Sequence, residues 1–199
     1  DKNLKIKFFK ANSGYIFSPD NGHIDLKCKF STNNNPYIKA QKETFKLLKK
    51  YRKFGLNLSN LIFMQVESPL RPDDFFIKKV CIGAKNKEKI KVGNINTFRD
   101  YSWITEVAKA IFLTSKLSSK DYIISSGKKI SGKQILAEAY KLNKLNFKDY
   151  YSINKKFCRN KENKILIGSN KNILYLKRNF NFEFKIFGNT LIGKMYKSL

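Results

Sequence analysis

The sequence has few of the residue types that build disulfide frameworks, metal centres and hydrolytic triads. Its 199 residues include three cysteines and a single histidine, His23. Cys28, Cys81 and Cys158 are odd in number and stand 53 and 77 positions apart, with no Cys-x-x-Cys and no His-Glu-x-x-His. These absences exclude a disulfide scaffold, a zinc knuckle and most metal or triad chemistry. No metal site is expected, and a reducing compartment is predicted.

Acidic residues and long apolar runs are also scarce. Asp and Glu total 15 against 41 Lys and Arg, which gives a formal net charge of +26. Such an excess favours an anionic partner, although AT-rich codon usage would also explain 36 Lys against 5 Arg and 21 Asn. No apolar run approaches the roughly 18 residues of a membrane span, so no transmembrane segment is expected. The chain begins at Asp1 without Met, and we expect an N-terminus that is processed, truncated or only partly represented.

Enough apolar residues are present for a packed core, since 42% of the chain is hydrophobic and 14% aromatic. Alternation over residues 4–9 predicts a strand, and the apolar run 58–66 predicts a strand buried on both faces. Asn35-Pro36 predicts a helix start, with a stop at Gly55. Further predicted helices begin near 73 and cover 103–113, 132–142, 170–178 and 189–196, and further strands cover 89–92, 122–124 and 165–167. This alternation predicts one compact α/β unit.

Two phosphate-binding loops are missing. No Gly-x-Gly-x-x-Gly follows a strand, and no Gly-x4-Gly-Lys-Ser/Thr occurs. Because these loops cradle phosphates with backbone N–H groups, this sequence alone cannot build a dinucleotide site.

Several short strings occur in a specific order: 11–17 (ANSGYIF), 36–41 (PYIKAQ), 67–71 (ESPLR), 93–101 (GNINTFRDY) and 157–162 (FCRNKE). They resemble successive blocks of the GDP-mannose 4,6-dehydratases, which are extended short-chain dehydrogenase/reductases. The resemblance implies a partial Rossmann-type sheet with a C-terminal α/β substrate-binding cap. Residues 1–70 would be the end of the Rossmann-like domain, and 71–199 the cap interleaved with its last elements. About the first third of such an enzyme is then expected to be missing.

The resemblance also implies catalytic positions. Ser13 matches the family's hydroxyl residue and Tyr37 matches the tyrosine of its Tyr-x-x-x-Lys pair, which oxidises a sugar hydroxyl. Gln41 stands where the lysine is expected, and an amide carries no charge to stabilise a phenolate. Tyr15 replaces the carboxylate that serves as the base for dehydration, and Gln65-Val66 replaces Asn-His. These departures favour lost catalysis.

Nucleotide-sugar or phosphate contacts are implied at Lys78, Lys79, Arg99, Arg159 and Glu162. The alternative is that Arg99-Asp100 and Arg159-Glu162 are ion pairs kept for folding. Cations interleaved with Tyr and Leu provide candidate RNA contacts at Lys46, Lys49, Lys50, Arg52, Lys53, Lys85, Lys87, Lys89, Lys91, Lys171, Lys177 and Arg178.

Three functional hypotheses follow. The first is a non-catalytic, dehydratase-like structural subunit of an RNA-containing assembly such as a mitochondrial ribosome, with rRNA and neighbouring proteins as partners and no cofactor. The second is a GDP-mannose 4,6-dehydratase-type lyase that uses NADP and a GDP-sugar and works with a separate N-terminal Rossmann half. The third is a scaffold on acidic lipid in a membrane-associated complex. We expect a mitochondrial or other organellar matrix location, or otherwise a cytoplasmic one.

Overall fold

A computed structural model of the chain describes residues 6–33, 35–158 and 163–199. Its strands are β1 (Phe8–Ser13), β2 (Phe17–Ser18), β3 (His23–Ile24), β4 (Lys29–Phe30), β5 (Leu58–Phe63), β6 (Gln65–Glu67), β7 (Ile90–Val92), β8 (Phe98–Arg99), β9 (Tyr101–Trp103), β10 (Tyr122–Ile124), β11 (Ile130–Ser131), β12 (Tyr151–Ile153) and β13 (Ile165–Gly168). Its α-helices are α1 (Pro36–Arg52), α2 (Phe76–Asn86), α3 (Ile104–Ser115), α4 (Gly132–Lys141), α5 (Lys171–Phe180) and α6 (Gly188–Ser198). In the described ranges, no helix is both long and apolar enough to cross a membrane.

Three parallel strands form the main sheet, in the order β1-β5-β10. Phe8 pairs with Leu58 and Tyr122 pairs with Leu61. Since neighbouring side chains on a strand point to opposite faces, Leu61 packs against α3 and α5 while Ile62 packs on the other face with Phe45 of α1. Burial on both faces explains the continuous apolar run of β5.

The second core is built on α2, α4 and α6. Ile77 and Val80 of α2, Leu136 of α4 and Met195 of α6 are buried in one cluster. Short strands connect this core to the main sheet: β6 pairs with β9, β7 pairs with β12, and β13 lies between β8 and β3. Helices α2, α4 and α6 therefore share a core of their own beside the main sheet.

Asp100 ties these parts together. It is fully buried, and its Oδ1 accepts hydrogen bonds from the Ser126 N–H at 3.2 Å and the Ser126 hydroxyl at 2.5 Å. Its Oδ2 accepts from the N–H groups of Gly127 at 2.9 Å and Gly168 at 3.4 Å. The carboxylate thus fixes the turn after β10 and the end of β13 against the start of β9. Burial raises the pKa of Asp100 to about 6.

The predicted α/β class with a partial Rossmann-type sheet is confirmed. Several predicted boundaries differ from the observed ones. The apolar run 58–66 was predicted to be one strand, but it is divided at Met64 into β5 and the start of β6. The first strand was predicted over 4–9; residues 4 and 5 lie outside the described residues, and the observed strand runs over Phe8–Ser13, where it pairs with β5. The helix expected from Asp73 begins at Phe76, with Phe75 as its N-cap. The division at residue 70 stays a prediction; β10 from the second range pairs with β5 from the first.

Candidate functional site

A cleft of about 1150 Å³ opens where β1 and β5 end. Ligands of parallel α/β sheets bind at the carboxyl ends of the strands, because the loops that follow converge there. Segments distant in sequence contribute to its lining, which includes Ser13, Tyr15, Phe17, Tyr37, Met64, Gln65, Ser68, Arg71, Phe75, Arg99, Asn163 and Leu166. The structure therefore brings Ser13, Tyr37 and Arg99 of the predicted site into one cleft.

Ser13 is the last residue of β1 and is 9% exposed. Its backbone N–H donates to Asn12 Oδ1 at 2.9 Å, and its hydroxyl oxygen accepts from the N–H of Tyr15 at 3.2 Å. Asn12 in turn donates to the Gln41 carbonyl at 3.2 Å, which joins β1 to α1. The hydroxyl is thus held by local backbone while its proton remains available for donation.

Tyr37 occupies the first turn of α1. The Asn35 side chain accepts from the Ile38 N–H at 2.8 Å and Pro36 follows it, so the helix starts as the sequence predicted. Tyr37 is 57% exposed and borders the cleft. One turn further on, Gln41 Oε1 accepts from Lys10 Nζ at 3.5 Å. The amide of Gln41 therefore stands where the resemblance implies a lysine, and the nearby ammonium group is that of Lys10 on β1.

Tyr15 and Gln65 differ from the family pattern and contact each other. Gln65 Nε2 donates to the Tyr15 hydroxyl at 2.9 Å, and both residues line the cleft and a second, smaller cavity beside it. Neither an amide nor a phenol is a carboxylate, so this pair does not supply the carboxylate base that the family uses for dehydration. Tyr15 and Gln65, which both differ from the family pattern, therefore contact each other through one hydrogen bond.

The predicted phosphate contacts differ in availability. Lys78 is used within the chain, since its Nζ donates to the carbonyls of Pro69 and Arg71 at 2.7 Å each and pairs with Asp73 at 2.8 Å. Lys79 borders an adjoining cavity of about 430 Å³, with Nζ 4.8 Å from the centroid of the Phe157 ring.

Arg99 is 6% exposed and reaches both cavities. Its Nη1 donates to the carbonyls of Phe98 at 2.8 Å and Asn163 at 3.0 Å. Asp100 accepts its own hydrogen bonds from Ser126, Gly127 and Gly168. Arg159 and Glu162 lie outside the described residues.

Arg71 is a site residue that the sequence reasoning missed. Its Nη1 donates to Glu67 Oε1 at 2.6 Å and to the Val66 carbonyl at 2.9 Å, while its Cζ lies 3.5 Å from the centroid of the Phe75 ring. It borders both cavities. Burial raises the pKa of Glu67 to about 7, against the opposing charge of Arg71. The Glu67-to-Arg71 spacing of four was the available sequence signal.

The candidate RNA contacts are almost all exposed but do not share one surface. Arg52 is partly buried and pairs with Asp121, and Lys177 pairs with Glu183. The basic stretch on α1 lies on one face of the main sheet, and the stretch on α5 lies on the other. Lys85 is an exposed residue in the last turn of α2, which packs in the second core. The twelve contacts stay a prediction, and an RNA would have to wrap around the sheet to meet all three stretches.

Solved structures resemble this chain closely in fold. UDP-glucuronic acid 4-epimerase of Bacillus cereus, in complex with UDP-glucuronic acid and NAD, matches with a TM-score of 0.82 at 13% identity over 99% of this chain and 62% of that one. dTDP-glucose 4,6-dehydratase of Bacillus anthracis, in complex with NAD, matches with a TM-score of 0.78 at 15% identity over 96% and 61%. Such identities show the fold alone. The fold is therefore that of a Rossmann-type α/β protein.

Sequence comparison narrows that class. The model of the family described as GDP-mannose 4,6 dehydratase matches residues 3–195, and this chain belongs to that family. GDP-mannose 4,6 dehydratase 1 of Arabidopsis thaliana is 25% identical over 166 residues, covering 80% of this chain and 46% of that protein. GDP-mannose 4,6 dehydratase 2 of Caenorhabditis elegans is 22% identical over 143 residues, covering 68% and 37%. The chain spans less than half the length of both curated relatives.

Proposed function

We propose that this chain forms the nucleotide-sugar side of a GDP-mannose 4,6-dehydratase-type lyase. The observation that carries the proposal is the gathering of Ser13, Tyr37, Arg71 and Arg99 around one cleft from four separate segments. Two guanidinium groups suit a diphosphate, because each offers paired donors in a planar fork. The two hydroxyls suit a sugar. The relatives named above are nucleotide-sugar enzymes, which favours this hypothesis over the ribosomal one.

The residues present do not by themselves fit a whole NADP molecule. Ser13 and Tyr37 could face the nicotinamide end, but the sequence has no glycine-rich loop for the diphosphate. Gln41 also lacks the charge of the family's lysine. A second Rossmann half, as a further polypeptide or segment, would have to hold the cofactor.

The open edge of β1 is compatible with such a half. Within the described part of the chain, β1 pairs with β5 on one side and with no strand on the other. An unpaired edge of a parallel sheet presents a row of free backbone donors and acceptors that can take up another strand. Ile6 and Phe8 beside this edge are 69% and 50% exposed. A parallel strand added here would extend the sheet and cover both side chains.

Calorimetric titration with GDP-mannose tests the proposal. We expect Tyr37→Phe to weaken binding about fivefold, the effect of one lost hydrogen bond. Tyr51→Phe is the matched control, since Tyr51 is an exposed tyrosine on the same helix away from the cleft. Absence of GDP-mannose binding, or equal effects of the two variants, would contradict the proposal. Loss of water from GDP-mannose, measured with NADP and a glycine-loop half added, tests the reaction itself.

A second candidate function is the basic structural subunit in an RNA-containing organellar assembly. It is favoured by the exposed cations Lys46, Lys49, Lys50 and Lys53 along α1. Neutralising these four residues should lower affinity for single-stranded RNA and flatten its salt dependence, because released counterions drive such binding. Unchanged affinity and salt slope would remove this candidate.

A further inference from the structure

A buried carboxylate borders the cavity that adjoins the cleft. Glu67 ends β6 and is 1% exposed. Its Oε1 accepts from Arg71 Nη1 at 2.6 Å, whereas its Oε2 has no hydrogen-bond partner among the described residues. A buried charge with an incomplete set of partners is costly and moves towards its neutral form. The state of Glu67 therefore depends on how fully Arg71 compensates it.

Arg71 is fixed between this carboxylate and the cavities. Its N–H donates to the Ser68 carbonyl at 3.1 Å, and its own carbonyl accepts from Lys78 Nζ at 2.7 Å. The guanidinium lies over the Phe75 ring. Both hydrogen bonds described for the Arg71 side chain come from Nη1, so among the described residues Nη2 and Nε have no acceptor. These two nitrogens are the donors that an anion in the cleft could use.

We propose that Glu67 is a positioning residue that couples the binding of a diphosphate diester at Arg71 to the uptake of a proton by its own carboxyl group. This inference rests on the proposed function, because it places the ligand in the same cleft. An anion at Nη2 and Nε competes with Glu67 for the guanidinium charge. The carboxylate, dry and less well compensated, then takes up a proton, while Oε1 still accepts from Arg71.

The surrounding groups leave Glu67 as the residue that titrates near neutrality. Burial, assisted by the charge of Glu67, raises the pKa of Cys81 on α2 to about 12 and raises the pKa of Tyr101 on β9 further above its ordinary value. Both stay neutral between pH 6 and 8. Lys78 is paired with Asp73 at 2.8 Å. Glu67 itself is about half protonated at pH 7.

Calorimetric titration with GDP-mannose and, separately, with NAD tests whether ligand binding is coupled to proton uptake by Glu67. The two probes also distinguish whether the diphosphate that binds belongs to a nucleotide sugar or to a dinucleotide. In both probes the diphosphate is esterified at each end and lacks the terminal phosphate that titrates near pH 6. If binding raises the pKa of Glu67 from about 7 to about 8, affinity is about fivefold higher at pH 6 than at pH 8. At pH 7, titrations in two buffers of different protonation enthalpy should then show uptake of about 0.4 proton.

Glu67→Gln should bind with the same affinity at both pH values and without proton uptake. Glu43→Gln is the matched control, since Glu43 is exposed and pairs with Lys46 on α1; it should keep the wild-type behaviour. The two-buffer measurement on the wild type needs no variant and therefore does not depend on whether Glu67→Gln folds.

The outcomes separate the two ideas. GDP-mannose binding of equal strength at both pH values without proton uptake, or uptake that persists in Glu67→Gln, overturns the coupling and leaves the proposed function standing. Proton-linked binding of NAD without binding of GDP-mannose supports the coupling and overturns the proposed substrate. Binding of neither probe overturns both.

Discussion

Replacing Asp100 by Asn tests which of two opposing effects controls its ionisation. Four hydrogen bonds from Ser126, Gly127 and Gly168 favour the carboxylate, whereas complete burial disfavours it. Burial has the larger effect and raises the pKa from 3.8 to about 6. In the folded protein this group therefore holds its proton more tightly than in the unfolded chain.

The magnitude follows from linkage. Because the folded pKa is the higher one, the stability associated with protonation is present at low pH and is lost as pH rises from about 4 through 6. A difference of about 2.2 in pKa corresponds to about 3 kcal/mol over the full range, and to about 2.4 kcal/mol between pH 4 and 7. Asn does not titrate. The unfolding free energy of wild type minus that of Asp100→Asn should therefore fall by about 2 kcal/mol from pH 4 to pH 7.

Urea unfolding measures this difference through the fluorescence of Trp103, the only tryptophan, which is 3% exposed. Titrations elsewhere cancel in the comparison, and Asp149→Asn at an exposed position serves as the control. A difference that stays constant, or rises with pH, would refute the reasoning, because it would mean that the four hydrogen bonds outweigh desolvation.

Three further substitutions test the packing and the cleft. Gly83→Ala should lower the free energy of unfolding, measured by urea titration, by about 1–3 kcal/mol. The reason is that a Cβ at this position would lie 2.5 Å from Ile90 Cγ2 and 2.9 Å from the Tyr140 hydroxyl. Unchanged stability would contradict this close packing. Asn60→Ala should lower the free energy of unfolding by about 2 kcal/mol in the same assay. The substitution removes the buried amide that donates to Asp121 at 2.9 Å and to the Phe45 carbonyl at 3.3 Å. A variant more stable than the wild type would contradict that role. Arg71→Ala should weaken GDP-mannose binding at least tenfold in calorimetry, because a charge-assisted hydrogen bond is lost. Arg178→Ala is the control: Arg178 is an exposed residue of α5, and its replacement should leave the affinity unchanged.

Much of the fold could be predicted because local patterns specify it. Asn35 and Pro36 give the start of α1, and the apolar run gives β5. The first strand was predicted over 4–9 but is observed from Phe8, since alternation indicates an extended chain without saying where β5 offers partners. Very short strands such as β8 and β11 carry too few residues for a periodic pattern.

The site was only partly predictable. Ser13 and Tyr37 could be named because short strings place them, and the same strings exposed Gln41 and Tyr15 as departures. These short sequence matches could not show that Lys78 forms an ion pair with Asp73 and donates hydrogen bonds to two backbone carbonyls. Nor could they separate basic stretches that lie on opposite faces of a sheet.

The fold class, the family resemblance and the large positive charge could be inferred from the residues alone, because these properties depend on composition and on neighbours along the chain. Which charges are available to a ligand depends on how the chain folds. Glu67 and Asp100 are ordinary acids in the sequence, and their raised pKa values arise from burial among residues brought in from α2, β9, β10 and β13. Desolvation depends on three-dimensional surroundings, and no local pattern records them.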